Sequence, residues 1–258
     1  MLVEVVPTYD AMSDRALEIV ATQLREKPDS VIGFATGSTP AGLYSRLVDE
    51  HRGGRLDFAQ VTTFNLDEYV GLPPDHAQSY HHFMWSHLFA HINVDPSRVH
   101  IPGGTADGID ETCRRFEEAI EQAGGIDLQV LGIGANGHLA FNEPGSSLGS
   151  RTRPKPLTES TIRDNARLFD DPEEVPRHAI TMGIGTIMDA RQLLLLASGE
   201  GKANAMHATL EGPITAMVPA TIVQLHPHAH VIVDDAAASN LEYKHHHGIM
   251  EPYGRRLV

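Results

Sequence analysis

Short apolar, β-branched runs alternate along this chain with stretches whose apolar residues recur at helical spacing. Residues 3–6, 31–35, 61–66, 128–133, 193–197 and 230–233 read as strands. Residues 11–25, 41–49, 80–89, 109–123 and about 202–210 read as helices. The run at 128–133 is apolar almost throughout, as a central strand covered on both faces should be. Strands that lead into helices rather than hairpin turns build a mainly parallel sheet with helices on both faces. The expectation is therefore an α/β chain. Its 258 residues suffice for one large domain over 1–258, and no repeat or low-complexity linker divides them. Residues 151–176 are the least regular, with several prolines and many charges. They read equally as a lid over a site and as an ordinary surface connection.

The formal net charge of −14 argues against a nucleic-acid or anionic-membrane partner, since both require a basic face. A small anionic substrate stays open, because a local pocket can be positive on an acidic protein. The single cysteine, Cys113, sits in a helical pattern and reads as packing; one cysteine allows no internal disulfide and suits a reducing cytoplasm. The N-terminus lacks a basic region followed by an apolar one, and no apolar run approaches the ~20 residues that span a bilayer. His245, His246 and His247 read as a solvated surface run.

Three clusters carry chemistry. Residues 33–40, G-F-A-T-G-S-T-P, follow a strand and precede a helix, so Thr36, Gly37, Ser38 and Thr39 offer N–H groups and hydroxyls where the helix dipole is positive. That suits a phosphate, although neither a Walker A loop nor a dinucleotide fingerprint is present. Capping of the helix by Ser38 or Thr39 explains the loop equally well. Residues 64–71, F-N-L-D-E-Y-V-G, set Asp67 and Glu68 just after a strand; adjacent acids there are more often exposed loop charges, and Asp67 is a general base only if the strand ends converge. Residues 130–144, V-L-G-I-G-A-N-G-H-L-A-F-N-E-P, end an apolar run in glycines and then supply His138 and Glu143. A carboxylate beside an imidazole can orient it and raise its basicity. No His-x-x-x-His pair or cysteine cluster indicates a metal, and no Gly-x-Ser-x-Gly elbow indicates a serine hydrolase.

In this order the clusters resemble the isomerising glucosamine-6-phosphate deaminases. The resemblance rests on T-G-S-T-P, F-N-L-D-E-Y-V-G-L, S-Y-H-H-F-M, G-I-G-A-N-G-H-L-A-F-N-E-P and S-R-T-R-P-K-P-L-T, and extends from about residue 33 to 227. It implies a Rossmann-like three-layer αβα fold, and a reaction with neither metal nor cofactor that converts D-glucosamine 6-phosphate and water to D-fructose 6-phosphate and ammonia. By resemblance, Asp67 moves a proton from C2 to C1, His138 opens the pyranose ring, and Glu143 orients His138. The phosphate would lie on residues 36–39 with Arg167 and Lys202. Asn136 departs from members that carry Asp there, so it cannot be a charged relay member; it can still hydrogen-bond His138 or the sugar. Ser146, Arg153 and Lys155 match parts of a regulatory site for an N-acetylated sugar phosphate. Members occur as monomers and as larger homo-oligomers.

The chemistry agrees with these assignments. A phosphate of roughly −1.5 to −2 charges near neutral pH needs N–H groups and a cation. Ring opening needs a group that accepts and donates a proton near pH 7, as imidazole does. One carboxylate reaching two adjacent carbons can shuttle the proton. Rival expectations are a 6-phosphogluconolactonase, whose family carries its own glycine-histidine loop, a sugar-phosphate sensor and a simple aldose–ketose isomerase. F-N-L-D-E-Y and F-N-E-P favour the deaminase over the lactonase, and no helix-turn-helix precedes the first strand as in a DNA-binding sensor.

Overall fold

The computed structural model describes residues 1–103, 108–157, 162, 169 and 175–243. Seven strands form one parallel sheet: β1 (Leu2–Val6), β2 (Val31–Phe34), β3 (Thr62–Asn65), β5 (Val99–His100), β6 (Leu128–Leu131), β9 (Gln192–Ala197) and β10 (Ala229–Asp234). Their spatial order is β1-β10-β9-β6-β2-β3-β5, so the most apolar strands lie in the middle. Among the described residues the α-helices are α1 (Tyr9–Glu26), α2 (Ser38–Arg52), α3 (Tyr80–His87), α4 (Ile109–Gln122), α5 (Ile184–Met188) and α6 (Ala203–Glu211).

Local sequence explains the helices well. Thr8 caps α1 by accepting from the Ala11 N–H at 3.1 Å, with Asp10 in the first turn and Arg25 in the last, each favourable to the helix dipole. In α4, Cys113, Phe116 and Ile120 face inward at helical spacing while Glu111 pairs outward with Arg114 and Arg115. Cys113 is thus packing. The core divides into two large clusters, as a sheet covered on both faces requires. Ile32, Phe34, Leu128, Val130, Leu194 and Ile232 belong to one; Phe64, Leu131, Leu193, Leu195, Val231 and Val233 belong to the other.

The sequence does not reveal a second, antiparallel sheet of three strands in the order β4-β8-β7. These are β4 (Asp67–Tyr69), β7 (Arg153–Pro156) and β8 (His178–Thr181). Each is too short to give an alternating pattern, and β7 carries two prolines, tolerable because it lies at an edge. The segment expected as one strand over 61–66 ends at Asn65, and a new strand begins at Asp67 in the other sheet. The expected lid therefore begins with a paired strand, with Lys155 opposite Ala179; most of residues 158–174 lie outside the described residues, as do His245–His247 and Arg167.

Candidate active site

Four adjacent strands of the large sheet, β9, β6, β2 and β3, send their carboxyl ends to one cavity of about 360 Å³. This is where an open α/β sheet reverses its strand order and binds ligands. Residues 36–39 line it from β2, Asp67 from just beyond β3, His138 from the loop after β6, and Lys202 from the turn after β9. Three of the sequence clusters thus meet, with Lys202 added. Tyr80, Phe141 and Ala140 complete the wall.

The β2–α2 loop begins α2 at Ser38, and its N-cap is Gly37, with φ 106° and ψ 176° and no side-chain cap. Capping by Ser38 or Thr39 is thereby corrected: both residues lie inside the first turn. Tyr9 braces that turn, donating from its hydroxyl to the Ser38 carbonyl at 2.8 Å and accepting from the Gly42 N–H at 2.7 Å. Lys202 faces the cavity with burial pushing its pKa down. Its turn is fixed by Asp234 at the end of β10, which accepts from the Gly199 N–H at 3.1 Å and from the Ser198 hydroxyl.

The expectation of exposed acids at 67 and 68 is also corrected, since Asp67 is 6% and Glu68 4% exposed. They are buried because residues 67–69 pair as a strand, Asp67 opposite Thr181. Desolvation, with the neighbouring charge of Glu68 adding to it, pushes the Asp67 carboxyl up to about 8. Glu68 turns the other way, away from the cavity lining: it accepts from the N–H groups of Tyr69 at 2.8 Å, Tyr80 at 3.0 Å and His81 at 2.8 Å.

In the loop after β6, the Glu143 carboxylate lies 3.6 Å from His138 Nδ1 and accepts from Asn136 Nδ2 at 2.8 Å. Asn136 Oδ1 in turn accepts from the His138 backbone N–H at 3.2 Å. Asn136 thus aims the carboxylate and ties the loop, without adding a second negative charge. The imidazole lies so close over Gly134 that a Cβ there would meet the ring at 2.2 Å. Ala140 holds a positive φ of 53°, a conformation that costs a non-glycine residue free energy and persists only where surroundings enforce it. Those surroundings are β8 and its extension: Thr181 Oγ1 accepts from the Phe141 N–H at 3.1 Å, and Asn142 Nδ2 donates to the Met182 carbonyl at 2.8 Å. Because β8 also pairs with β4, one strand sets the position of Asp67 relative to the His138 loop.

Thr181 and Tyr80 escape the sequence reading. The short H-A-I-T strand carries no local signal, whereas Tyr80 stands in S-Y-H-H-F-M, a stretch the resemblance had already singled out. Among the regulatory matches, Arg153 lines a separate hollow of about 370 Å³ beside α4, with Glu117 and Arg151; the described lining includes neither Ser146 nor Lys155. Ser146 is buried after the His138 loop, and Lys155 lies on β7. Among the described residues, no group of three or more His, Cys, Asp and Glu could hold a metal ion, and no helix is long and apolar enough to cross a membrane.

The family model for glucosamine-6-phosphate isomerases/6-phosphogluconolactonase matches residues 7–233. The glucosamine-6-phosphate deaminase of Thermoanaerobacter pseudethanolicus is 54% identical over 93% of this chain and 94% of its own. Glucosamine-6-phosphate deaminase 2 of Bacillus subtilis is 53% identical over 91% of this chain and 95% of its own. A solved structure described as a monomeric glucosamine-6-phosphate deaminase superposes with a TM-score of 0.90 at 46% identity, covering 93% of this chain and 100% of that one. The 6-phosphogluconolactonase of Thermotoga maritima, at 21% identity and a TM-score of 0.71 over 90% of this chain and 99% of its own, shares the fold. The chain belongs to the glucosamine-6-phosphate isomerase/6-phosphogluconolactonase family, and within it to the glucosamine-6-phosphate deaminases.

Proposed function

We propose that this chain catalyses the isomerising deamination of D-glucosamine 6-phosphate to D-fructose 6-phosphate and ammonia, with Asp67, His138 and Glu143 as the reacting and orienting groups. The observation that carries this reading is the single cavity whose wall holds Asp67, His138, the 36–39 loop and Lys202 together. The substrate phosphate lies on the N–H groups that open α2, with Lys202 as counter-charge, and Arg167 is assigned the same task on sequence alone. Anchoring the phosphate sets C1 and C2 among the reacting groups, and orientation of this kind accounts for much of a rate enhancement.

His138 takes the proton of the C1 hydroxyl and delivers it to the ring oxygen, giving the open-chain aldehyde. Glu143 holds the imidazole in place and offsets the charge it gains; Asn136 holds Glu143. Asp67 then removes the C2 proton while the aldehyde oxygen at C1 takes up a proton, forming the enolamine. Asp67 returns its proton to C1 and the nitrogen gives one up, leaving the imine at C2 beside a C1 hydroxyl. Water adds to that carbon, and ammonia leaves to give the ketose. The compartment is the cytoplasm, consistent with one buried cysteine.

The test is ammonia release from glucosamine 6-phosphate, set against lactone hydrolysis. Ammonia equal to fructose 6-phosphate formed is expected, with Asp67→Asn binding the sugar phosphate but losing about 10²–10⁴ in turnover. Near-normal deamination by that variant would remove Asp67 from its role. His138→Gln is expected to slow the cyclic substrate far more than an open-chain analogue; equal losses on both would remove His138 from ring opening.

A further inference from the structure

Glu68 takes no part in the steps above, yet it is buried directly behind Asp67 and is surrounded by donors. Its two oxygens receive three backbone N–H groups, two of which, from Tyr80 and His81, belong to the first turn of α3. A helix leaves those N–H groups without intrahelical partners, so a buried carboxylate there satisfies them and complements the dipole. The contact fixes more than a helix end, because Tyr80 is the residue at which α3 reaches the cavity lined by Asp67. The Tyr80 ring stacks on Phe141 of the His138 loop, centroids 6.0 Å apart and planes 5° from parallel, and its hydroxyl lies 3.4 Å from that of Tyr69.

Resting on the deaminase reading above, we propose that Glu68 is a positioning residue of the reaction, pinning α3 to β4 so that Tyr80 walls the cavity beside Asp67, and keeping a second negative charge next to that base. Among the described residues, the titratable groups around Asp67 are its neighbours Glu68, whose side chain turns the other way, and Tyr69 on the same strand, Tyr80 on α3, and His138 and Lys202 across the cavity. Burial is the larger cause of the raised proton affinity of Asp67, and the charge of Glu68 adds to it. Burial raises the Glu68 carboxyl as well, against the three N–H groups that favour its charged form. A more basic carboxylate is a better match to the weakly acidic C2 proton. Position and charge thus act on the same step by separate routes.

Two substitutions separate those routes. Glu68→Gln keeps the shape and removes the charge, and it turns an N–H donor toward at least one of the three N–H groups. In this variant kcat is expected to fall tenfold or more, given about 10²-fold for a 1 Å misplacement, and the acid-side midpoint of the kcat/KM pH profile moves to lower pH. Glu68→Asp keeps the charge but withdraws it by one methylene from α3; kcat is expected to fall while the midpoint stays within the wild-type range. Rates are scaled to the folded fraction, so that a merely structural role would leave both kcat and midpoint unchanged. An active unmodified chain with Glu68→Gln matching it in kcat and midpoint overturns this proposal alone. If Glu68→Gln does not fold, wild-type kcat in Glu68→Asp overturns it. An unmodified chain that releases no ammonia overturns the deaminase reading together with it.

Discussion

Asp67 is held where a carboxylate is costly. Buried beside Glu68, it binds its proton up to about pH 8 rather than near 3.8. Between those values the folded chain retains a proton that the unfolded chain has released. The stability contributed by this group is therefore complete below about pH 4 and is lost as the pH rises through 8. Asparagine cannot ionise, so Asp67→Asn escapes that loss. Each tenfold change in proton affinity corresponds to about 1.4 kcal/mol. Urea unfolding is expected to find the variant more stable than wild type by about 2–4 kcal/mol at pH 9, with little of that advantage at pH 5. An equal difference at both pH values would show that Asp67 ionises normally. The same residue ties this loss to activity: as a base it works only when deprotonated, so kcat/KM is expected to fall on the acid side with a midpoint near 8.

The β2–α2 loop is an element whose geometry depends on glycine. Gly37, at φ 106° and ψ 176°, occupies a region essentially reserved for that residue, and a Cβ there would meet nothing within 4 Å. Gly37→Ala is therefore a test of backbone conformation alone. It should destabilise the loop's present shape by about 1–3 kcal/mol, raise KM for the sugar phosphate, and leave kcat at saturation much less changed. A fall in kcat with unchanged KM would separate this loop from phosphate binding. Such elements were legible in the sequence because their signals are local: G-F-A-T-G-S-T-P and the glycines before His138 declare sharp turns at strand ends. The burial of Asp67 and Glu68 was not legible. It depends on β4 finding β8 more than 100 residues away, and a strand as short as Asp67–Tyr69 leaves no periodic trace. Tyr80 and Thr181 matter for the same reason, through what distant segments they touch.

At the scale of the molecule, the parallel sheet is a rigid frame and the small antiparallel sheet a clamp that sets one catalytic segment against another. The core strands alternate their side chains between two apolar clusters. Leu194 of β9, fully buried opposite Val130, enters the cluster shared with α1 and α2, whereas Leu193 and Leu195 enter the other. The frame and the chemistry are thus separable: Leu194 supports the sheet but does not line the cavity. Leu194→Ala should lower unfolding free energy by about 2–5 kcal/mol through lost burial and the void left behind. Leu225→Ala, at a position 63% exposed, should stay within about 0.5 kcal/mol. Both variants are expected to keep wild-type kcat per folded molecule well below the melting transition, because four strand ends and β8 fix the site more firmly than one side chain in the sheet can disturb. If kcat in Leu194→Ala fell in proportion to stability at such temperatures, the sheet would be transmitting core strain to Asp67 or His138, and frame and site would have to be treated as one cooperative unit.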